Sequence, residues 1–211
     1  MKVSSSKENI LKKIRQALAN PVPVPFPGSE GNNSVFQPPT KELEIEFAEN
    51  FTGLLGKFSF CVDQLELAQQ LGQLVVAKKL QKIFCIESEM SKKLAQAGFT
   101  NLVATDLPSC DAAITGCELL IARTGSILMS SAQQSGRTVS VYTPVHICVA
   151  YTSQLVYDIK EGLLLLKEKY AGKLPSFFTL ASGPSRTADI EKTLVVGVHG
   201  PREVYVFLVE G

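Results

Sequence analysis

The sequence predicts an α/β protein with a mixed central sheet and helices on both faces. Three observations carry that expectation. From Thr40 to Thr105, short apolar runs alternate with amphipathic stretches of helical length, the pattern of parallel strands joined by packed helices. Between Cys117 and Tyr151, strand-like runs follow one another directly, which predicts antiparallel pairing. The 211-residue length, with 45% hydrophobic and 19% charged residues, is enough to bury a sizeable core.

Three parts are expected in order: an amino-terminal amphipathic helix over 1–19, a linker over 20–39, and an α/β domain over 40–211. Ser5 and Glu8 fit a capping box ahead of an apolar stripe at Ile10, Leu11, Ile14, Ala17 and Leu18, flanked by Lys12, Lys13 and Arg15. Such a helix docks on its own domain or on a partner chain. Residues 20–39 hold six of the eleven prolines, which favours an extended path and excludes a continuing helix.

Within the domain, Leu43, Phe47, Phe51, Leu54 and Leu55 mark a helix and Lys57–Val62 a strand. Asp63 with Glu66 opens a reciprocally capped helix running to about Lys79. Lys82–Ile86 reads as a strand, Glu89–Ala97 as a helix stopped by Gly98, and Asn101–Thr105 as a strand. Cys117–Arg123 and Ser126–Ser131 are separated by Thr124-Gly125, which predicts a hairpin or a strand kinked by glycine. Strands are expected at Thr138–Tyr142 and Val145–Tyr151, and a long helix over Ser153–Tyr170. The closing stretch, SFFTLASGPSRTADIEKTLVVGVHGPREVYVFLV, reads as a strand (Phe177–Ala181), a Gly183-Pro184 break, a helix, a Gly200-Pro201 break and a final strand.

Several function classes are excluded by composition. Twenty-one basic against 20 acidic residues give a net charge of +1, with no electrostatic case for nucleic acid. No apolar run reaches membrane-spanning length, and the amino end lacks a basic-then-apolar leader, so no membrane role and a cytoplasmic location are expected. Cys61, Cys85, Cys110, Cys117 and Cys148 include no C-x-x-C pair, so no metal or iron–sulfur site is expected in this chain. Neither a dinucleotide fingerprint nor a phosphate-loop signature occurs.

The candidate ligand site gathers at the two breaks. The expected strand-to-helix junction carries Gly183, Ser185, Arg186 and Thr187, with Asp189 one turn on. Free amides at a helix start, two hydroxyls and a guanidinium make an anion seat. The rival reading is a well-capped structural turn. Thr124, Gly125 and Ser126 are expected to line the facing wall, beyond the carboxyl ends of strands. His199 lies in a glycine-flanked turn where backbone approaches closely. His146, in PVHICV, is either a buried histidine held by one hydrogen bond or a site residue at a strand end.

Taken together, ITGCELLIARTGSILM, TPVHICVA and above all SGPSRTADIEKTLVVGVHGPREVYVFLV resemble the lactate-utilisation protein C family, the LUD domain. That resemblance implies a fold like the NagB/RpiA/CoA-transferase group and a role in oxidising L-lactate to pyruvate. It implies partner proteins that carry the iron–sulfur clusters and no cofactor in this chain; the hydroxyl-and-Arg cluster at the junction predicts a small carboxylate or phosphate as ligand. A non-catalytic adaptor, a CoA- or sugar-phosphate-handling enzyme and a homo-oligomer are alternatives consistent with it. The family usually has Glu where this chain has Arg123, a reversal of charge that favours an anionic ligand or a new ion pair.

Overall fold

A computed structural model describes residues 5–19, 38–102, 106–190 and 193–211. The chain divides into two compact units, Met1–Pro38 and Pro39–Gly211. In the first, α1 spans Ser5–Ala19 and leaves Ile10, Leu11, Ile14 and Leu18 exposed. The proline-rich stretch 20–37 lies outside the described residues, as do 103–105, on which the expected strand at Asn101–Thr105 mostly falls.

The second unit begins with α2 (Leu43–Gly53), whose buried Phe47 and Phe51 stack with ring centroids 5.4 Å apart. Strand β1 (Lys57–Cys61) leads into α3 (Gln64–Lys78). Half of the expected reciprocal cap is present: Glu66 N–H donates to Asp63 Oδ1, while the Glu66 carboxylate accepts from Val62 N–H, one residue before the N-cap, both at 2.8 Å. Next come β2 (Ile83–Phe84), α4 (Ser88–Gln96), β3 (Ala112–Thr115), β4 (Leu119–Ile121), a 3-10 turn over Ala122–Thr124, and β5 (Ser126–Ser130). One helical turn, α5 (Val139–Tyr142), precedes β6 (Val145–Tyr151) and β7 (Leu155–Val156). The chain closes with α6 (Ile159–Lys169), β8 (Phe178–Ala181), β9 (Arg186–Ile190), β10 (Thr193–Val196) and β11 (Glu203–Val209).

Five strands form a parallel sheet in the order β1-β11-β6-β3-β2. The antiparallel pairing expected from the middle of the chain falls in a second sheet, β7-β4-β5-β8, so the mixed character is divided between two sheets. Alternation along β11 shows how the layers are held. Tyr205, Phe207 and Val209 pack with α3 and α4, whereas Val204, Val206 and Leu208 pack with α2, β4 and β5. The outer face of the second sheet is covered by α6 through Ile121, Leu128, Val156 and Leu166. Strands buried on both faces read as continuous apolar runs, which is why VHICVA and VYVFLV were legible. Each fully buried Leu, Val or Phe there contributes roughly 1.5–3 kcal/mol before conformational entropy.

Three expected elements differ. Thr138–Tyr142 is not a strand: Val141 and Tyr142 N–H both bond back to Thr138 O (3.0 and 2.9 Å), and Tyr142 is 73% exposed. The long helix starts at Ile159 rather than Ser153. Leu155–Val156 pairs with β4 instead, and Asp158 caps the helix by accepting from Lys160 N–H at 2.8 Å. The helix expected after Gly183-Pro184 is the β9–β10 hairpin, with Arg186 opposite Val196, Thr187 opposite Val195 and Ile190 opposite Thr193. The β-branched run TLVV favours a strand, and Ser185 pins the hairpin's base by bonding Pro201 O and Gly197 N–H, each at 2.9 Å. Strand β3, fully buried, escaped the sequence reading because AAIT is short and lacks polar alternation.

The carboxyl end of α2 is clamped by two glycines in left-handed conformations. A Cβ on Gly125 (φ +55°) would stand 2.5 Å from Phe51 N, and one on Gly183 (φ +84°) 2.3 Å from Leu54 O. Replacing Gly183 by Ala is expected to lower unfolding free energy by about 3 kcal/mol, from backbone strain plus overpacking. Gly136→Ala has positive φ but nothing within 4 Å, and is expected to lose about 1 kcal/mol. Urea unfolding of the two variants checks this; equal losses would remove the close approach as the cause.

Candidate functional site

The sequence reading sets Thr124–Ser126 and the Gly183 segment on opposite walls of a cleft; the structure places the turn after β4 beside the end of β8. They meet directly. Ser126 Oγ donates to Thr124 Oγ1 (2.8 Å) and lies 2.6 Å from Ser182 Oγ, while Asn50 Nδ2 donates to Ala122 O (2.9 Å). Hydroxyls that satisfy one another over two backbone-to-glycine contacts form a joint between the second sheet and α2. Arg123 forms an ion pair: its Nε donates to Asp158 Oδ2 at 2.6 Å. The Lys160 N–H, and then Arg123, hold the Asp158 carboxyl below its ordinary range against the opposing effect of burial.

His146 sits inside the parallel sheet, paired with Ala113 of β3 and Val204 of β11. Its Nε2 lies 2.8 Å from Thr115 Oγ1, and burial pushes the imidazole pKa down to about 4. It is a buried histidine held by one hydrogen bond, neutral at pH 7.

The motif's other half builds a groove. The turn between β10 and β11 is tied down by Ser185 N–H to Pro201 O and by Arg202 N–H to Pro144 O, both 2.9 Å. Between this turn and α5 opens a hollow of about 530 Å³, lined by Tyr142, Thr143, Gly197, His199, Gly200 and Arg202 among others. Ser185 backs it closely: a Cβ on Gly200 would stand 2.9 Å from Ser185 Cβ. His199 and Arg202 are exposed. Among the described residues no carboxylate pairs with Arg202.

Two premises of the sequence reading change. No helix starts at Ser185, so the amides expected to seat an anion belong to a hairpin base. The groove also lies at the amino ends of β6 and β11, next to Val145 and Glu203, not beyond carboxyl ends. Arg186 is exposed at the start of β9, with Thr187 beside it, and the side chain of Asp189 lies outside the described residues. Sequence reasoning quoted Arg202 within GVHGPRE without singling it out; a guanidinium directly after the His199 turn was the available signal. It also passed over Glu118, whose carboxylate is buried and accepts from Ser130 Oγ (2.5 Å), Tyr170 Oη (2.6 Å) and Lys169 Nζ (2.7 Å). Burial works to raise its pKa, but those three donors hold it below the ordinary carboxylate range. Glu118 thus stitches β4 and β5 to the end of α6.

Residues 91–209 match the LUD domain model, more than half of the chain and every element of the groove. The chain belongs to the LUD domain family. Lactate utilization protein C of Deinococcus radiodurans is 38% identical over 105 residues, 49% of this chain and 49% of that protein. The protein of the same name from Bacillus licheniformis is 32% identical over 118 residues, 55% of this chain and 48% of the relative. An uncharacterized protein of Neisseria meningitidis is 37% identical over 102 residues, 47% of this chain and 42% of the relative. The matches therefore span about half the length of these relatives. Among solved structures, a DUF162 family protein from Deinococcus radiodurans superposes with a TM-score of 0.58 at 20% identity, covering 81% of this chain and 99% of the other. This second likeness concerns the fold of the LUD domain alone. Among the described residues no helix is long and apolar enough to cross a membrane, and no group of three His, Cys, Asp or Glu is placed to hold a metal ion.

Burial of His146 makes a signed pH prediction. Between pH 6.5 and 4 the unfolded LUD domain binds a proton at this residue that the folded one does not, so stability falls as pH falls through that window. The loss reaches about 3 kcal/mol by pH 4. In urea unfolding from pH 7 to 4, His146→Gln is expected to lose less stability than the wild type by that margin; parallel curves would show the imidazole protonated in place.

Proposed function

We propose that this LUD-domain chain serves L-lactate utilisation and holds a small carboxylate, lactate or pyruvate, in the groove between α5 and the His199 turn. The observation that carries this reading is the Arg202 guanidinium, without a carboxylate partner among the described residues, beside His199 on a groove about 530 Å³ in volume. Arg offers two parallel donors to a carboxylate, and an imidazole supplies a third through a ring N–H. Relatives named for lactate utilisation support the substrate class. Electron transfer belongs, in this reading, to iron–sulfur proteins acting with the chain in the cytoplasm. Calorimetric titration of lactate and pyruvate checks the seat. Arg202→Gln is expected to weaken binding at least tenfold and Arg186→Ala much less; no binding by the wild type, or equal binding by Arg202→Gln, removes it.

A second reading makes the chain an adaptor that grips its partners through α1, favoured by the exposed Ile10, Leu11, Ile14 and Leu18 on that helix. Deleting residues 1–39 is then expected to abolish co-purification with the iron–sulfur proteins while leaving ligand binding intact. Unchanged assembly would count against it.

A further inference from the structure

The opposite end of the parallel sheet carries its own cluster of polar groups. Beyond the carboxyl ends of β6, β3 and β2, two hollows of about 340 and 440 Å³ share Lys93 and Tyr151 in their linings. In open α/β sheets this end is where ligands enter, because the strands deliver loops and helix starts there. Glu87 lines the first hollow and Gln64 the second.

Two of the three buried side-chain oxygens that meet no donor among the described residues are Glu87 Oε1 and Gln64 Oε1. Their opposite ends are fixed. Glu87 Oε2 accepts from Gly116 N–H at 2.9 Å, just past β3, and Gln64 Nε2 donates to Tyr151 Oη at 3.1 Å. A buried acceptor without a donor loses roughly 1–3 kcal/mol of hydration, so two of them on adjoining walls call for an external donor. Between them stands Lys93. Its Nζ lies 3.3 Å from Tyr151 Oη and 4.9 Å from that ring's centroid, and no carboxylate among the described residues pairs with it.

From this arrangement we infer a second ligand site, for a small polyhydroxylated anion, in the hollows on either side of the Lys93–Tyr151 pair. The ligand's charge meets the Lys93 ammonium and the Tyr151 hydroxyl proton, and its hydroxyls donate toward Gln64 Oε1 and Glu87 Oε1. The site is separate from the Arg202 groove, since β6, seven residues long, sets the two ends about 20 Å apart.

Four probes titrated into the full chain test it: gluconate, glucose 6-phosphate, inorganic phosphate and glycerol. At least one hydroxylated anion is expected to bind tenfold or more tighter than phosphate or glycerol alone. Preference for gluconate assigns a carboxylate ligand, and preference for glucose 6-phosphate a phosphate one. Lys93 is exposed, so Lys93→Gln is expected to fold normally and to weaken that binding at least tenfold. The titrations are repeated in Arg202→Gln, which lacks the groove's carboxylate seat, so that binding at this site is read apart from binding in the groove. Four equal or absent affinities, full binding by Lys93→Gln, or a crystal soaked in the best probe with only water on the two oxygens overturns the site.

Discussion

The seven-residue parallel pairing of β6 with β11 is the constraint on which the rest depends. Val145 to Tyr151 lie in unbroken register with Glu203 to Val209, and both strands are central, so their backbone groups are paired on both sides. Neither strand can slip by one residue without sending Tyr205, Phe207 and Val209 to the wrong face of the sheet. That register fixes what stands at each end. At the amino end it brings Pro144 and Arg202 together, and with them the His199 turn. At the carboxyl end it presents Tyr151 to Gln64 and Lys93.

The second sheet is held to the first by packing and by short polar joints. Val204, Val206 and Leu208 on one side meet Leu120, Ile127 and Met129 on the other, a contact that is apolar and non-directional. Direction comes from the joints. The Asn50 amide and the two glycines against α2 fix one end of the second sheet, while the Ser126–Ser182 contact and Glu118 with its three donors tie that sheet and α6 together. Residues that looked chemically active in isolation, Thr124, Ser126 and His146, take hydrogen bonds within the protein. Arg202, one position past a proline and less conspicuous in sequence, is the group left facing a groove.

The sheet's asymmetry also bears on how sites arise in such a fold. Parallel strands place their loops at two chemically different ends. Here Ser185 and the turn over 197–201, parts of one long motif, build the amino end, while the scattered residues Gln64, Glu87, Lys93 and Tyr151 build the carboxyl end. A contiguous motif is visible to a reader of the sequence. Four residues drawn from two separate connections and a strand terminus are not, because only the shared sheet brings them together.

The sequence by itself determined the α/β class, the Asp63 cap, the glycine break between the apolar runs of 117–131, the apolar central strands and the family. Each rests on local chemistry: a side chain bonding a nearby amide, a glycine permitting a left-handed turn, a run too apolar to face water. Tertiary structure alone decided three other things. It chose a hairpin over a helix for TADIEKTLVV, whose local preferences leave both open until Ser185 is tied to Pro201 and Gly197. It turned Leu155–Val156 from helix into strand, because β4 offered an edge to pair with. It placed the His199 groove at the amino ends of the strands, since the direction of β6 and β11 relative to their neighbours is a long-range property that no local pattern encodes.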